Sequence, residues 1–70
     1  MVVKGYYIWC KKQDGNFITI FLPTTDFSKL SKYVDEFEDI TYVYHIEGEK
    51  KFAENEKQDL FCKMLEINNL

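Results

Sequence analysis

Two apolar stretches, Tyr6-Tyr7-Ile8-Trp9-Cys10 and Phe17-Ile18-Thr19-Ile20-Phe21-Leu22, flank a turn at Asp14-Gly15. Together they read as a β-hairpin. A strand with one wet face alternates apolar with polar residues, and neither stretch does. A sheet that is apolar on both sides needs a cover on both sides. The rest of the chain offers two helices. Either one helix covers each face, or one face is left for a partner.

Register decides what each face carries. A two-residue Asp-Gly turn pairs Lys12 with Phe17 and Trp9 with Ile20. Tyr7, Trp9, Ile18, Ile20 and Leu22 then share a face. A three-residue loop ending with Gly15 in the left-handed region pairs Ile8 with Ile20 instead. Tyr6, Ile8, Cys10, Ile18, Ile20 and Leu22 then share one face, and Tyr7, Trp9, Phe17 and Phe21 share the other. The second register is preferred because it sorts aliphatic from aromatic; a slip of one residue flips every side chain.

Pro23 ends the second strand, since it cannot donate to a ladder. Thr24 or Thr25 can cap the helix that follows, with Asp26 in its first turn. Phe27, Leu30, Val34 and Phe37 form a helical stripe, with Tyr33 at its edge, and the helix is expected to end near Glu38-Asp39. Ile40 to Ile46 is β-branched and aromatic and reads as a third strand. Glu47-Gly48-Glu49 reads as a turn, and Lys50-Lys51-Phe52 as a short fourth edge strand. Asn55 with Gln58 resembles a capping box. A second helix runs to about Asn68, with Leu60, Phe61, Met64, Leu65 and Ile67 expected to face inward. The prediction is an α+β fold in one compact domain, residues 1–70. Its small three- or four-stranded sheet has the order β-β-α-β-(β)-α, with two helices packed on it.

A chain of 70 residues supports a small core at best, and six Phe, five Tyr and one Trp compensate with large buried areas. The net charge is −3, and all nine cations are lysine. An acidic chain without arginine lacks the planar donor used to grip phosphate or guanine, which argues against nucleic acid. Cys10 and Cys62 form no CxxC pair, so both thiols are expected to be free in a reducing compartment. The opening residues Met1-Val2-Val3-Lys4-Gly5 show no signal-peptide pattern, and no segment is long and apolar enough for a span. The expected location is the cytoplasm, the host cytoplasm if the chain is viral.

Sites for chemistry are sparse. His45, the single histidine, could meet Cys10 if the third strand lies beside the first, but a Cys-His pair needs a third group to orient it. Two cysteines and one histidine, widely spaced, do not make the four ligands of a zinc site. The three glycines, Gly5, Gly15 and Gly48, are isolated, so no phosphate-binding loop exists. No catalytic residue, cofactor or metal is predicted. Lys11-Lys12 and Lys50-Lys51 could lie near each other and, with Tyr7, Trp9 and Phe17, form a small platform for single-stranded nucleic acid. Asp35, Glu36, Glu38 and Asp39 crowd the end of the first helix, where negative charge opposes the helix dipole. Such a cluster suits the docking of a basic protein surface.

In size, acidic balance and aromatic content the chain resembles the small accessory proteins that phages make to inhibit host enzymes or defence complexes. The likeness is one of general character and involves no motif. It implies a non-enzymatic protein-binding module, an inhibitor or regulator. Its predicted contact residues are Tyr7, Trp9, Phe17 and Phe21 on the hairpin and Asp35, Glu36, Glu38 and Asp39 on the helix. The expected partner is another protein, with a basic surface, or a second copy of the chain. The alternative is a nucleic-acid-binding accessory protein that uses the lysine pairs and the hairpin aromatics.

Overall fold

A computed structural model describes residues 1–70. The elements in chain order are β1 (Val2–Lys12), β2 (Phe17–Leu22), α1 (Phe27–Asp35), β3 (Ile40–Lys51), a 3-10 turn (Glu54–Glu56) and α2 (Lys57–Asn68). The three strands form one antiparallel sheet in the order β2-β1-β3. The fold is α+β with the element order β-β-α-β-α.

The hairpin adopts the register set by the three-residue loop: Ile8 opposes Ile20, Tyr7 opposes Phe21 and Lys11 opposes Phe17. Gly15 makes this possible at φ 89°, a conformation that side-chain-bearing residues rarely adopt. The Gly15 N–H donates to the Lys12 carbonyl at 3.0 Å, and the Lys12 N–H donates to the Asn16 carbonyl at 2.8 Å. The Asp14 carboxylate accepts from the Asn16 backbone N–H at 2.9 Å, and this bond holds its carboxyl below the usual range.

The expected turn at Glu47-Gly48-Glu49 is not a turn. β3 runs straight through it for 12 residues, and Gly48 opposes Gly5 across the ladder. The Tyr7 ring lies over Gly48, so a β-carbon there would sit 3.0 Å from the ring. The Tyr7 hydroxyl donates to the Glu49 carbonyl at 2.9 Å. A ring laid across a strand glycine restores the packing that the missing side chain forfeits. The separate fourth strand therefore merges into β3. A bulge at Val43 shifts the ladder from Trp9–Tyr44 to Cys10–Tyr42.

Both helices pack on the same side of the sheet. The core joins Tyr6, Ile8, Cys10 and Leu22 of the sheet to Leu30 and Tyr33 of α1 and Ile67 of α2. The α1 stripe differs from expectation. Leu30 and Tyr33 are buried and Val34 is half-buried, but Phe27 is 58% exposed and Phe37 36% exposed. The cause is the helix's length: α1 stops at Asp35, so Phe37 lies past its end and packs edge-on against Tyr33 at 5.0 Å. In α2, Leu60 and Ile67 are buried and Met64 is half-buried, but Phe61 and Leu65 face outward.

The caps also move. Asp26 itself is the N-cap of α1, accepting from the Ser28 N–H at 3.0 Å and the Ser28 hydroxyl at 2.7 Å. Thr24 supports it by accepting the Asp26 N–H at 3.1 Å. Before α2, the Glu56 carboxylate reaches back to the Ala53 N–H at 2.9 Å, in place of the expected Asn55–Gln58 pair. Neither helix is long and apolar enough to cross a membrane.

Candidate functional site: the open face of the sheet

Because both helices pack on one side, most of the other side of the sheet has no cover; only at one end do Phe21, Lys50 and Phe52 line a groove with Glu56, Asp59, Leu60 and Lys63 of the α2 end. Alternation along the strands assigns the residues of this open side: Tyr7, Trp9 and Lys11 of β1, Phe17, Thr19 and Phe21 of β2, and Tyr44, Ile46 and Lys50 of β3. The four hairpin residues predicted for contact, Tyr7, Trp9, Phe17 and Phe21, are brought together on this one face. Phe17 is 64% exposed, while Tyr7, Trp9 and Phe21 shelter one another and are half-buried.

The rings are organised in pairs. Trp9 and Tyr44 stack in parallel, 4.7 Å apart and 3° from coplanar. Tyr7 meets Phe21 edge-on at 4.9 Å, and Phe52 lies 5.9 Å beyond Phe21. Such pairs add roughly 0.5–1.5 kcal/mol beyond burial, so the paired rings hold one another in place. Sequence reasoning missed Tyr44 and Ile46, each 49% exposed. Their spacing of two on a β-branched strand was a usable signal, but which side they take depends on the pairing of β3 with β1.

Two lysines border the rings. Lys11 places its ammonium 5.9 Å from the centre of Phe17. Lys50 places its own 5.2 Å from Phe52 and 5.9 Å from Phe21. None of the twelve carboxylates stands on these strand positions. The lysine pairs do not meet, contrary to expectation. Antiparallel pairing sets Lys50 and Lys51 opposite Val3 and Val2, whereas Lys11 and Lys12 oppose Thr41 and Ile40. At the rise of a strand, the two pairs are roughly 27 Å apart.

The acidic residues form a different place. Asp35 ends α1, Glu36 caps it, and Glu38 and Asp39 lie in the link to β3; all four are exposed. The molecule's one ion pair joins Lys57 to Glu54, so none of the four is paired. Asp35 belongs to the helix side, where it lines a shallow groove of about 210 Å³ with Phe27, Leu30, Ser31, Val34 and Tyr42. The structure does not bring this cluster together with the aromatic face.

β3 does lie beside β1, but His45 and Cys10 form no pair. His45 opposes Ile8, and its Nδ1 lies 2.6 Å from the Tyr42 hydroxyl. Cys10 is buried, and burial pushes its thiol up, away from the thiolate that a nucleophile requires. Tyr6, below His45, donates to the Thr25 carbonyl at 3.1 Å. Burial and then the Glu47 carboxylate hold its phenol above the ordinary value. No three metal-ligating side chains converge anywhere in the chain.

The chain matches no protein-family model, no curated protein and no solved structure.

Proposed function

We propose that this chain is a non-enzymatic protein-binding module that docks through the open face of its sheet. It acts as an inhibitor or regulator of the protein it covers, in the manner of the small phage-made accessory proteins whose character it shares. The observation that carries this reading is the set of rings Tyr7, Trp9, Phe17, Phe21 and Tyr44 on the sheet side away from the core, bordered by α2 only at its Phe21 end. Large apolar patches on small proteins mark interaction sites, and Trp and Tyr are enriched among the residues that dominate binding energy. Two free thiols, Cys10 and Cys62, suit a reducing cytoplasm.

One observation favours a second reading, the binding of single-stranded nucleic acid on the same rings: the strand positions of the face carry lysines and no carboxylate. The absence of arginine weighs against it. So does the Trp9–Tyr44 stack, in which each ring already occupies one face of the other.

A photo-reactive phenylalanine analogue at Phe17 tests the proposal in living cells, with the same analogue at Lys57 on α2 as control. Adducts to a protein of another kind, formed from position 17 and not from 57, are the expected result. Adducts confined to nucleic acid turn the proposal over to the second reading.

A further inference from the structure

If docking through the open face is right, the chemistry of that face also specifies the partner: we infer that it takes an acidic protein surface, with an apolar centre flanked by carboxylates. The basis is the charge that strand alternation leaves on that face. The three strands hold Lys4, Lys11, Lys12, Lys50 and Lys51 against only Glu47 and Glu49. Asp14 apart, every other carboxylate lies on α1, α2 or the segments leading into and out of them. Strand alternation turns Lys4, Lys12 and Lys51, together with Glu47 and Glu49, to the helix side, so of the strand charges only Lys11 and Lys50 stand on the open face.

On the open face itself the strand charges are Lys11 at one end and Lys50 at the other, with rings between them, and Lys50 also borders a groove that Glu56, Asp59 and Lys63 share. Complementarity requires the reverse on the partner: aromatic or aliphatic groups to meet Trp9, Tyr44 and Tyr7, and Asp or Glu at both ends. The exposed cluster at Asp35, Glu36, Glu38 and Asp39 does not alter this, because it is not part of the aromatic face.

The same charges disfavour a second copy packed face to face with its strands aligned. With the strands aligned, a two-fold axis sets Lys11 against Lys11 and Lys50 against Lys50, or Lys11 against Lys50. Each arrangement puts like charges at the edge of a dry interface. Nucleic acid is disfavoured by number. Two lysines neutralise two phosphates of a single strand, giving a salt slope of only about −1.4.

The test is a random-peptide library selected on the wild-type chain and counter-selected on the Trp9→Ser/Tyr44→Ser variant, with Phe17→Ser as a second, milder variant. Both variants are first checked for an intact thermal transition. The expected consensus pairs aromatic or aliphatic residues with Asp or Glu on both sides. Synthetic peptides of that sequence should bind about tenfold or more weakly to Lys11→Glu/Lys50→Glu, and unchanged to Lys57→Glu. A consensus rich in Lys or Arg that still needs Trp9 and Tyr44 overturns the acidic partner but leaves the docking face standing. A library that yields nothing dependent on Trp9, Tyr44 or Phe17 overturns both. So does tight binding of a thymidine oligonucleotide that the same variants abolish. Concentration-dependent self-assembly that Trp9→Ser/Tyr44→Ser abolishes assigns the face to a second copy and overturns the inference.

Discussion

Gly5 and Gly48 oppose each other across the ladder, yet they are held by different neighbours. A β-carbon on Gly5 would meet the Leu22 carbonyl oxygen at 2.1 Å, a backbone atom fixed within the sheet. On Gly48 the nearest atom is the edge of the Tyr7 ring at 3.0 Å, which can tilt by a few tenths of an ångström. Gly5→Ala is therefore expected to cost about 3 kcal/mol, the upper part of the overpacking range, and Gly48→Ala about 1 kcal/mol. Urea titrations of the two variants check the order; equal losses would mean that the β1–β2 approach is looser than described. A pH effect belongs to the same scale. Bonds from Ser28 hold the Asp26 carboxyl below its usual range, so its folded value is depressed. A depressed value contributes stability that is fully present above the unfolded pKa of about 3.9 and is lost as pH falls through the folded value. Asp26→Ala should lower the melting temperature by a few degrees at neutral pH, and that deficit should shrink in strong acid.

The elements show where the sequence was legible and where it was not. The hairpin register was legible because two local signals agreed: Gly15 suits a three-residue loop, and that loop sorts aliphatic from aromatic residues. The extent of β3 was not. Glu-Gly-Glu has turn composition, and what keeps it extended is non-local: Gly5 opposite and the Tyr7 ring above. The helix stripe was legible in part. Spacing identified Leu30 and Val34, but Tyr33 is buried in place of Phe27, and Phe37 falls past the end of α1 at Asp35. The open face follows from the apolar character of both hairpin faces. That both helices share one side, and that Tyr44 and Ile46 join the rings, required the pairing of β3. Leu30, 3% exposed, should cost about 2–5 kcal/mol when cut to Ala, and Phe27, 58% exposed, well under about 1 kcal/mol. Thermal melts of the two variants distinguish a helix held by Leu30 from one held along its whole predicted stripe.

At the scale of the molecule there is one core, and it lies under one face. Ten of the 70 residues are buried, and β1 supplies Tyr6, Ile8 and Cys10 from its position between β2 and β3. Lys29 of α1 donates to the Asn68 and Leu70 carbonyls at the end of α2, Lys63 of α2 donates to the Tyr33 hydroxyl, and both helices share one core with the sheet. α1 has nine residues and α2 has 12, lengths that are marginal for a helix on its own in water. Once β1 separates from its neighbours, neither helix retains an apolar surface to rest on. The sheet and the helices should therefore unfold in a single step. Trp9, the sole tryptophan, reports the open face, and the far-ultraviolet dichroism reports the helices behind it. Their urea transitions should coincide in midpoint and slope, as expected of a two-state domain. An earlier Trp9 transition with the helical signal intact would show that the rings loosen separately from the core. It would place the open face in the least stable part of the molecule.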